Sequence, residues 1–435
     1  MPMKTAKIVI VGGKLMVKLG FDRQCITPTL PIRLRGFAEE RIAVEVHDDL
    51  YARCLVFDNG EKKYAFINCD LLNVSHLVND MVAEKLAKLG IDSENIVITV
   101  THTHSGPGGF LDTRAGLFEN MQQMFGEAEL GFIDSFAQKI YTGVANAIAN
   151  LVETEVKIGR SFVENVGKER HDPNLPGDNE ILVYEFNRQD GKKVLMYNYA
   201  CHPTVTGAKN IMVSRDLPGP VERDLPYDMT MFINGDCGDI STRYTRQSAT
   251  FEQIEVYAKE IINGINRALE NVEYSGPLTK IAVKRFSKEL AIKKVPPVEE
   301  EQAKLDKYLE QIEEAKKNNV TAGELRLIQS FAEGAATAVN LAKGLKGKTS
   351  EQVEYSIMTI ENTKIAIVPG ELFSSVGKIL KEAGLEIFGY GNGYYMYFAD
   401  ENAYDAMYYE AMSSPFAKGA SEVLINDIKE KGAMI

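Results

Sequence analysis

The 435-residue chain has no tryptophan, only five cysteines, and no apolar run approaching the ~18 residues of a membrane-spanning helix. The cysteines, Cys25, Cys54, Cys69, Cys201 and Cys237, are odd in number, far apart and never arranged as C-x-x-C. That spacing excludes a disulfide framework and a cysteine zinc site. Reduced thiols in a cytoplasmic compartment are the simplest expectation. Residues 1–14 hold only a four-residue apolar run, where a secretory signal needs roughly 7–15, so no signal is expected. Positive charge is short as well: 49 Lys+Arg face 61 Asp+Glu, a net charge of −12 with a pI near 5.2. Nucleic acids and anionic membranes recruit basic surfaces, so neither is an expected partner.

What remains is the composition of a globular protein, with 45% apolar and 25% charged residues, enough to bury a sizeable core. Strand-length apolar runs alternate with helical stretches, an α/β pattern. Residues 64–69, 96–101, 156–158, 181–186, 194–201, 229–233 and 364–368 read as strands. Residues 77–89, 132–151, 254–269 and 373–383 read as helices. The expected fold is α/β, mixed β-sheets flanked by helices, in a single catalytic domain over 1–435. Residues 296–347 differ, being charged and strand-poor after Pro296-Pro297. Leu305, Tyr308, Leu309 and Ile312 fall at helical spacing, and Thr321-Ala322-Gly323-Glu324 has the form of a capping box. The segment reads as an inserted surface helical hairpin, with an active-site lid or a homo-oligomer interface as the alternatives.

Chemistry collects where strands end. The β-branched run I-V-I-T-V-T leads into T-H-T-H-S-G-P-G-G, and a period of two places His102 and His104 on one face. The strand before Cys201 runs into His202-Pro203-Thr204, and 229–233 runs into N-G-D-C-G-D-I-S, carrying Asp236, Asp239 and Ser241. The strand 364–368 runs into Pro369-Gly370-Glu371. In open α/β sheets the ligand crevice lies at the carboxyl ends of the strands, so these turns can converge. His102, His104, His202 and Glu371 would then supply a two-histidine, one-carboxylate metal shell with one histidine to spare, a usual catalytic zinc composition. Each residue also has a plainer reading: His202 as a strand end, Glu371 as an acid favoured at a helix N-terminus, Ser241 as an N-cap. His47, His76 and His171 lack such context and read as ordinary surface or core histidines. The glycines at Gly12-Gly13 and from Gly389 lack a nucleotide-binding context. Tyr394, Tyr395, Tyr397, Tyr404, Tyr408 and Tyr409 read as an aromatic packing stripe.

Taken together these segments resemble the neutral (non-lysosomal, alkaline) ceramidase family. T-H-T-H-S-G-P-G-G is similar to its histidine motif, Cys201–Thr204 to its C-H-P-T element and Gly238–Ser241 to its G-D-x-S loop. Pro369–Glu371 resembles its P-G-E element, and Asn392–Tyr397 with Tyr409-Glu410 resembles its tyrosine segment. Arg160 in V-K-I-G-R-S resembles its arginine. The resemblance implies one catalytic zinc ion held by His102, His202, Glu371 and Tyr397. It implies His104, Arg160, Ser241 and Tyr409 as the catalytic groups around it. It also implies hydrolysis of the amide joining a fatty acyl group to a sphingoid base, a step of sphingolipid metabolism. Two departures bear on substrate. Ser241 is followed by T-R where the family has P-N, and with only 25 residues (435 − 410) after Glu410 the family's C-terminal β-sandwich is not expected. An acidic chain with no amphipathic anchor is also poorly suited to extracting membrane lipid. The expectation is a zinc amidohydrolase acting on an N-acyl amide, ceramide or a smaller and more polar molecule. A zinc hydrolase of an ester, lactam or glycosidic bond, or a non-catalytic metal-binding homologue, is the alternative.

Overall fold

The computed structural model describes residues 10–11, 14–37, 40–111, 117, 121, 125–128, 130–172, 174–175, 177–320, 322–345 and 347–435. Gly12-Gly13 and Thr321, the first residue of the expected capping box, lie outside them. Alternating apolar side chains build a large sheet from β1 (Lys18–Cys25), β2 (Tyr51–Asp58), β3 (Lys63–Cys69), β4 (Ile96–Val100), β5 (Val152–Phe162), β6 (Glu180–Arg188), β7 (Lys193–Tyr199), β8 (Met229–Asn234) and β9 (Val272–Pro277). The strand order is β8-β7-β6-β5-β1-β2-β3-β4, with β9 pairing β5. The β7–β8 and β3–β4 pairs are parallel and the rest antiparallel. A second sheet runs β10 (Ile281–Ala291), β11 (Ser350–Ile360), β12 (Thr363–Ile367), β13 (Leu385–Phe388), its last pair parallel.

The period of two decides which layer each side chain enters. Along β2, Leu55 and Phe57 join Phe66, Val156, Tyr184, Met231 and Ile233 in a core shared with Met358, Ile365, Ile367 and Phe388 of the second sheet. The alternate residues Ala52, Cys54 and Val56 face α1 (His76–Ala87) and α2 (Leu130–Ala149) through Val78, Val82, Phe136 and Ile140. On the β6–β7 half, Val183, Leu195 and Tyr197 pack on Ile254, Ile261 and Ile265 of α3 (Phe251–Glu270). The two sheets thus pack face to face, with helices on their outer faces, each buried aliphatic side chain contributing about 1.5–3 kcal/mol.

Between β10 and β11 run α4 (Val298–Lys317) and α5 (Ala322–Gly344), packed on each other with Tyr308 stacked on Phe331 at 5.8 Å. Further on come α6 (Ser374–Glu382), α7 (Tyr409–Ser413) and α8 (Ala420–Ala433). Helix α5 packs on α7, where Gly334 leaves room for Met412. Among the described residues no helix is long and apolar enough to cross a membrane.

One side chain gathers the strand ends. Asn234, at the end of β8, donates from Nδ2 to the carbonyls of Thr101 (3.3 Å) and Cys201 (3.2 Å), which follow β4 and β7. Its own carbonyl accepts from the N–H of Gly389, just past β13 (2.9 Å). Four strands therefore deliver their following loops to one place.

Candidate metal centre

The loop after β4 leaves the strand at Val100 rather than continuing extended through both histidines. The His102 N–H bonds to the Leu71 carbonyl (3.0 Å), and His102 adopts φ +67°, a left-handed conformation costing a non-glycine residue about 1–3 kcal/mol. Even so, His102 and His104 meet, Nε2 to Nε2 at 3.2 Å. His202 enters from β7, its Nε2 lying 3.0 Å from Glu371 Oε2, while His102 Nε2 lies 3.6 Å from the same oxygen. Glu371 opens a two-residue strand paired in parallel with Tyr397–Phe398, a register that sets Glu371 beside Tyr397. Gly238 donates its N–H to the Leu372 carbonyl (2.8 Å), an approach any side chain would block, since a Cβ there would sit 2.7 Å from the Glu371 carbonyl oxygen.

These residues fit a metal ion. Ligand atoms on a tetrahedron of 2.0–2.1 Å bonds stand about 3.3 Å apart, and Glu371 Oε2 lies 3.0 Å from His202 Nε2 and 3.6 Å from His102 Nε2. The ligand nitrogens of His102, His104 and His202 all lie within 4.8 Å of one another. The outward nitrogens are tied back, His102 Nδ1 donating to the Leu72 carbonyl (2.7 Å) and His202 Nδ1 to the Ile240 carbonyl (2.9 Å). Such bonds select the tautomer whose Nε2 lone pair points inward, as in metal-ligating histidines. His104 differs: its Nδ1 is buried with no hydrogen-bond partner among the described residues. Burial holds His102 down to about 4, despite the Glu371 carboxylate. Burial, His102, His202, Arg41 and Arg170 hold His104 well below the ordinary imidazole value. For Glu371, burial acts to raise the carboxyl, but His102, His202 and the Tyr394 hydroxyl bring it down to about 2. At neutral pH His102 and His104 are therefore neutral imidazoles and Glu371 a carboxylate.

Of the residues expected from sequence, His102, His104, His202 and Glu371 come together, and Tyr397 stands beside them with Tyr409 edge-on at 5.7 Å. Burial pushes both phenols up. Ser241 is buried one residue from Ile240, the acceptor of His202 Nδ1, and its Oγ accepts from the Arg243 N–H (3.3 Å). Arg160 requires a correction. Its Nε binds Glu273 (2.5 Å), and its Nη1 lies 3.3 Å from Glu180 and 3.0 Å from Glu386. β5 carries it to a half-exposed carboxylate cluster, so its charge is spent there and not on the histidines. Arg170 takes that place instead: its Nη2 donates to the Tyr397 hydroxyl (3.3 Å), and it pairs with Glu410. Tyr394 was read as packing, yet its hydroxyl donates to Glu371 Oε1 (2.5 Å). Arg170 stands in K-E-R-H-D directly after the short strand Lys168–Glu169, and nothing in the spacing marked it.

Residues 18–224 match the family model for the N-terminal part of neutral/alkaline non-lysosomal ceramidases. That stretch contains all three histidines of the cluster. The chain is 26% identical over 219 residues to neutral ceramidase 1 of Arabidopsis thaliana, 45% of this chain and 27% of that protein. It is 25% identical over 226 residues to the neutral ceramidase of Drosophila melanogaster, 46% of this chain and 31% of that protein. The matches thus span less than a third of these relatives' length. The crystal structure of neutral ceramidase from Pseudomonas aeruginosa aligns with a TM-score of 0.73 at 16% identity, covering 96% of this chain and 74% of that one. Similarity to the neutral ceramidases holds in sequence over the N-terminal half and in fold over nearly the whole chain.

Proposed function

We propose that this chain, similar to the neutral ceramidases, is a zinc-dependent amidohydrolase that cleaves an N-acyl amide. The observation carrying the reading is the convergence of His102 Nε2, His202 Nε2 and Glu371, with both outward Nδ1 atoms tied to backbone carbonyls. His102, His202, Glu371 and Tyr397 would hold one zinc ion. Bound there, zinc supplies carbonyl polarisation and an acidified water. Among the described residues nothing ties the second nitrogen of His104, so it is the histidine suited to carry a proton to the leaving amine. Arg170 and Tyr409 donate hydrogen bonds to the developing oxyanion, and Ser241 assists with its hydroxyl. All five thiols are unpaired, which supports a reducing, cytoplasmic setting.

The test is a panel of N-acyl amides, ceramide included, with matched esters, run on protein of measured zinc content. Amide turnover that disappears with a chelator and returns with zinc supports the reading. Turnover of esters alone rejects the amidase assignment, and full activity in metal-free His102→Ala protein rejects the zinc site.

A further inference from the structure

We propose that Glu410 and His171 are positioning residues that hold the Arg170 guanidinium against Tyr397. The proposal rests on the reading of the site above. Arg170 Nη2, the nitrogen that donates to the Tyr397 hydroxyl (3.3 Å), is the one paired with Glu410 Oε1. The other carboxylate oxygen of Glu410 accepts from His171 Nε2 (2.8 Å). His171 Nδ1 in turn faces Glu169 Oε1, and the second oxygen of Glu169 accepts from the His171 N–H (2.8 Å). Carboxylate oxygens only accept, so both ring nitrogens carry protons and the ring is an imidazolium. It lies parallel on the Tyr408 ring at 4.0 Å, a face that favours a cation.

Charges therefore alternate along Glu169, His171, Glu410 and Arg170 up to the Tyr397 phenol. Each oxygen of Glu410 has one partner, and its side chain is 2% exposed, so it cannot turn without surrendering one of them. The backbone of the same segment is held separately. Lys168-Glu169 pairs with Ile240-Ser241, and the Arg170 N–H donates to the Asp239 carbonyl (2.8 Å). Arg170 is thus fastened at both ends, the serine loop holding its backbone and Glu410 its fork. Its Nε remains buried without a partner among the described residues, leaving a donor for an incoming oxygen. Glu410 directly follows Tyr409 on α7, so one short helix places both donors.

The experiment uses the zinc-loaded full chain and reads position, metal affinity and turnover of an N-acyl amide. Glu410→Gln is expected to lower kcat about 10²-fold, the scale of a small misplacement of a catalytic group, with zinc affinity unchanged. Its crystal structure should show Arg170 Nη2 out of hydrogen-bond reach of Tyr397. Glu410→Asp should recover part of kcat. His171→Phe keeps a ring on Tyr408 but loses both donors, and should cost about tenfold. In Arg170→Ala, added guanidinium should restore turnover while Glu410 is present and not in Arg170→Ala/Glu410→Gln. Equal rescue in both backgrounds, or Arg170 unmoved in the Glu410→Gln crystal structure, overturns the proposal. The crystallographic readout needs no turnover, so a chain that hydrolyses no amide overturns the functional reading alone and leaves this one to be decided by the position of Arg170.

Discussion

Two buried polar clusters in this chain are built on opposite plans. Beneath β2, Arg53 donates to Asp70 (3.0 Å) and Glu222 (3.1 Å), and Arg215 donates to Glu222 (2.5 Å) and Asp48 (2.9 Å). Every guanidinium there faces carboxylates, and burial of Glu222 is outweighed by Arg53 and Arg215, which hold its carboxyl below the usual range. At the strand ends the Nε2 atoms of His102 and His202 converge on the Glu371 carboxylate, while the Nδ1 donors of the two histidines are turned outward to backbone carbonyls. The first cluster sets each guanidinium against carboxylates, leaving Asp70 Oδ1 without a hydrogen-bond partner among the described residues. In the second, two histidine nitrogens and a carboxylate converge on one point, and that convergence is the physical difference between a buried ion-pair network and a binding site.

The largest expected effect tests the second plan. His202→Ala or Glu371→Gln should lower kcat/KM for an N-acyl amide by ~10³-fold or more and reduce zinc bound per chain, measured together by turnover and metal analysis. Retained zinc with retained activity would erase the distinction between the clusters. Next, Arg53→Met should cost about 3–5 kcal/mol of stability, because it strands Asp70 and Glu222 in the interior. The urea midpoint should fall while zinc bound per folded molecule stays the same. Should zinc binding fall as well, the two clusters are not independent.

Third, the two arginines sort onto the two plans. Arg170→Met should lower kcat about 10²-fold, the loss of an oxyanion donor, and should also cost stability, because buried Glu410 keeps only His171 as its charged partner. Arg160→Met should leave kcat within about twofold and cost at most about 1 kcal/mol, as a part-exposed ion pair does. Reversed outcomes would return Arg160 to the site and remove Arg170 from it.

Sequence reading located β3 to β8, β12, α1 to α6 and the four converging residues because these rest on local signals. The period-two runs ahead of His102 and His202 and the Pro-Gly turn before Glu371 are such signals. It did not find β9, β10, β11 or β13, nor β1 and β2, whose residues at 18–25 and 51–58 are interrupted by charged side chains such as Arg53 that are buried only because Asp70 and Glu222 meet them. Arg160 came from the family resemblance of V-K-I-G-R-S, and Arg170 was not singled out at all. What separates them is which carboxylates they meet, Glu273 and Glu386 against Glu410, and those contacts span more than a hundred residues. His171 read as ordinary because its partners Glu410 and Tyr408 lie far along the chain. Local chemistry announces ligands at strand ends, whereas the groups that orient them are assembled only by the tertiary fold.

The smallest expected effect separates the two kinds of buried histidine by pH. Burial lowers His102 to about 4, so the unfolded chain binds more protons between about pH 4 and 6.5. Metal-free protein should therefore lose stability as pH falls through that window. For His171 burial also acts downward, but the hydrogen bonds to Glu169 and Glu410 win and raise it to about 9. Here the folded chain binds the extra proton, so the contribution is complete below about pH 6.5 and is lost as pH rises through about 9. Urea midpoints of metal-free wild type and His171→Phe should differ most at pH 6, by about 1–2 kcal/mol, and draw together by pH 9. A difference that stays constant from pH 6 to 9 would mean that His171 is neutral in the fold, and Glu410 would then have only Arg170 as its charged partner.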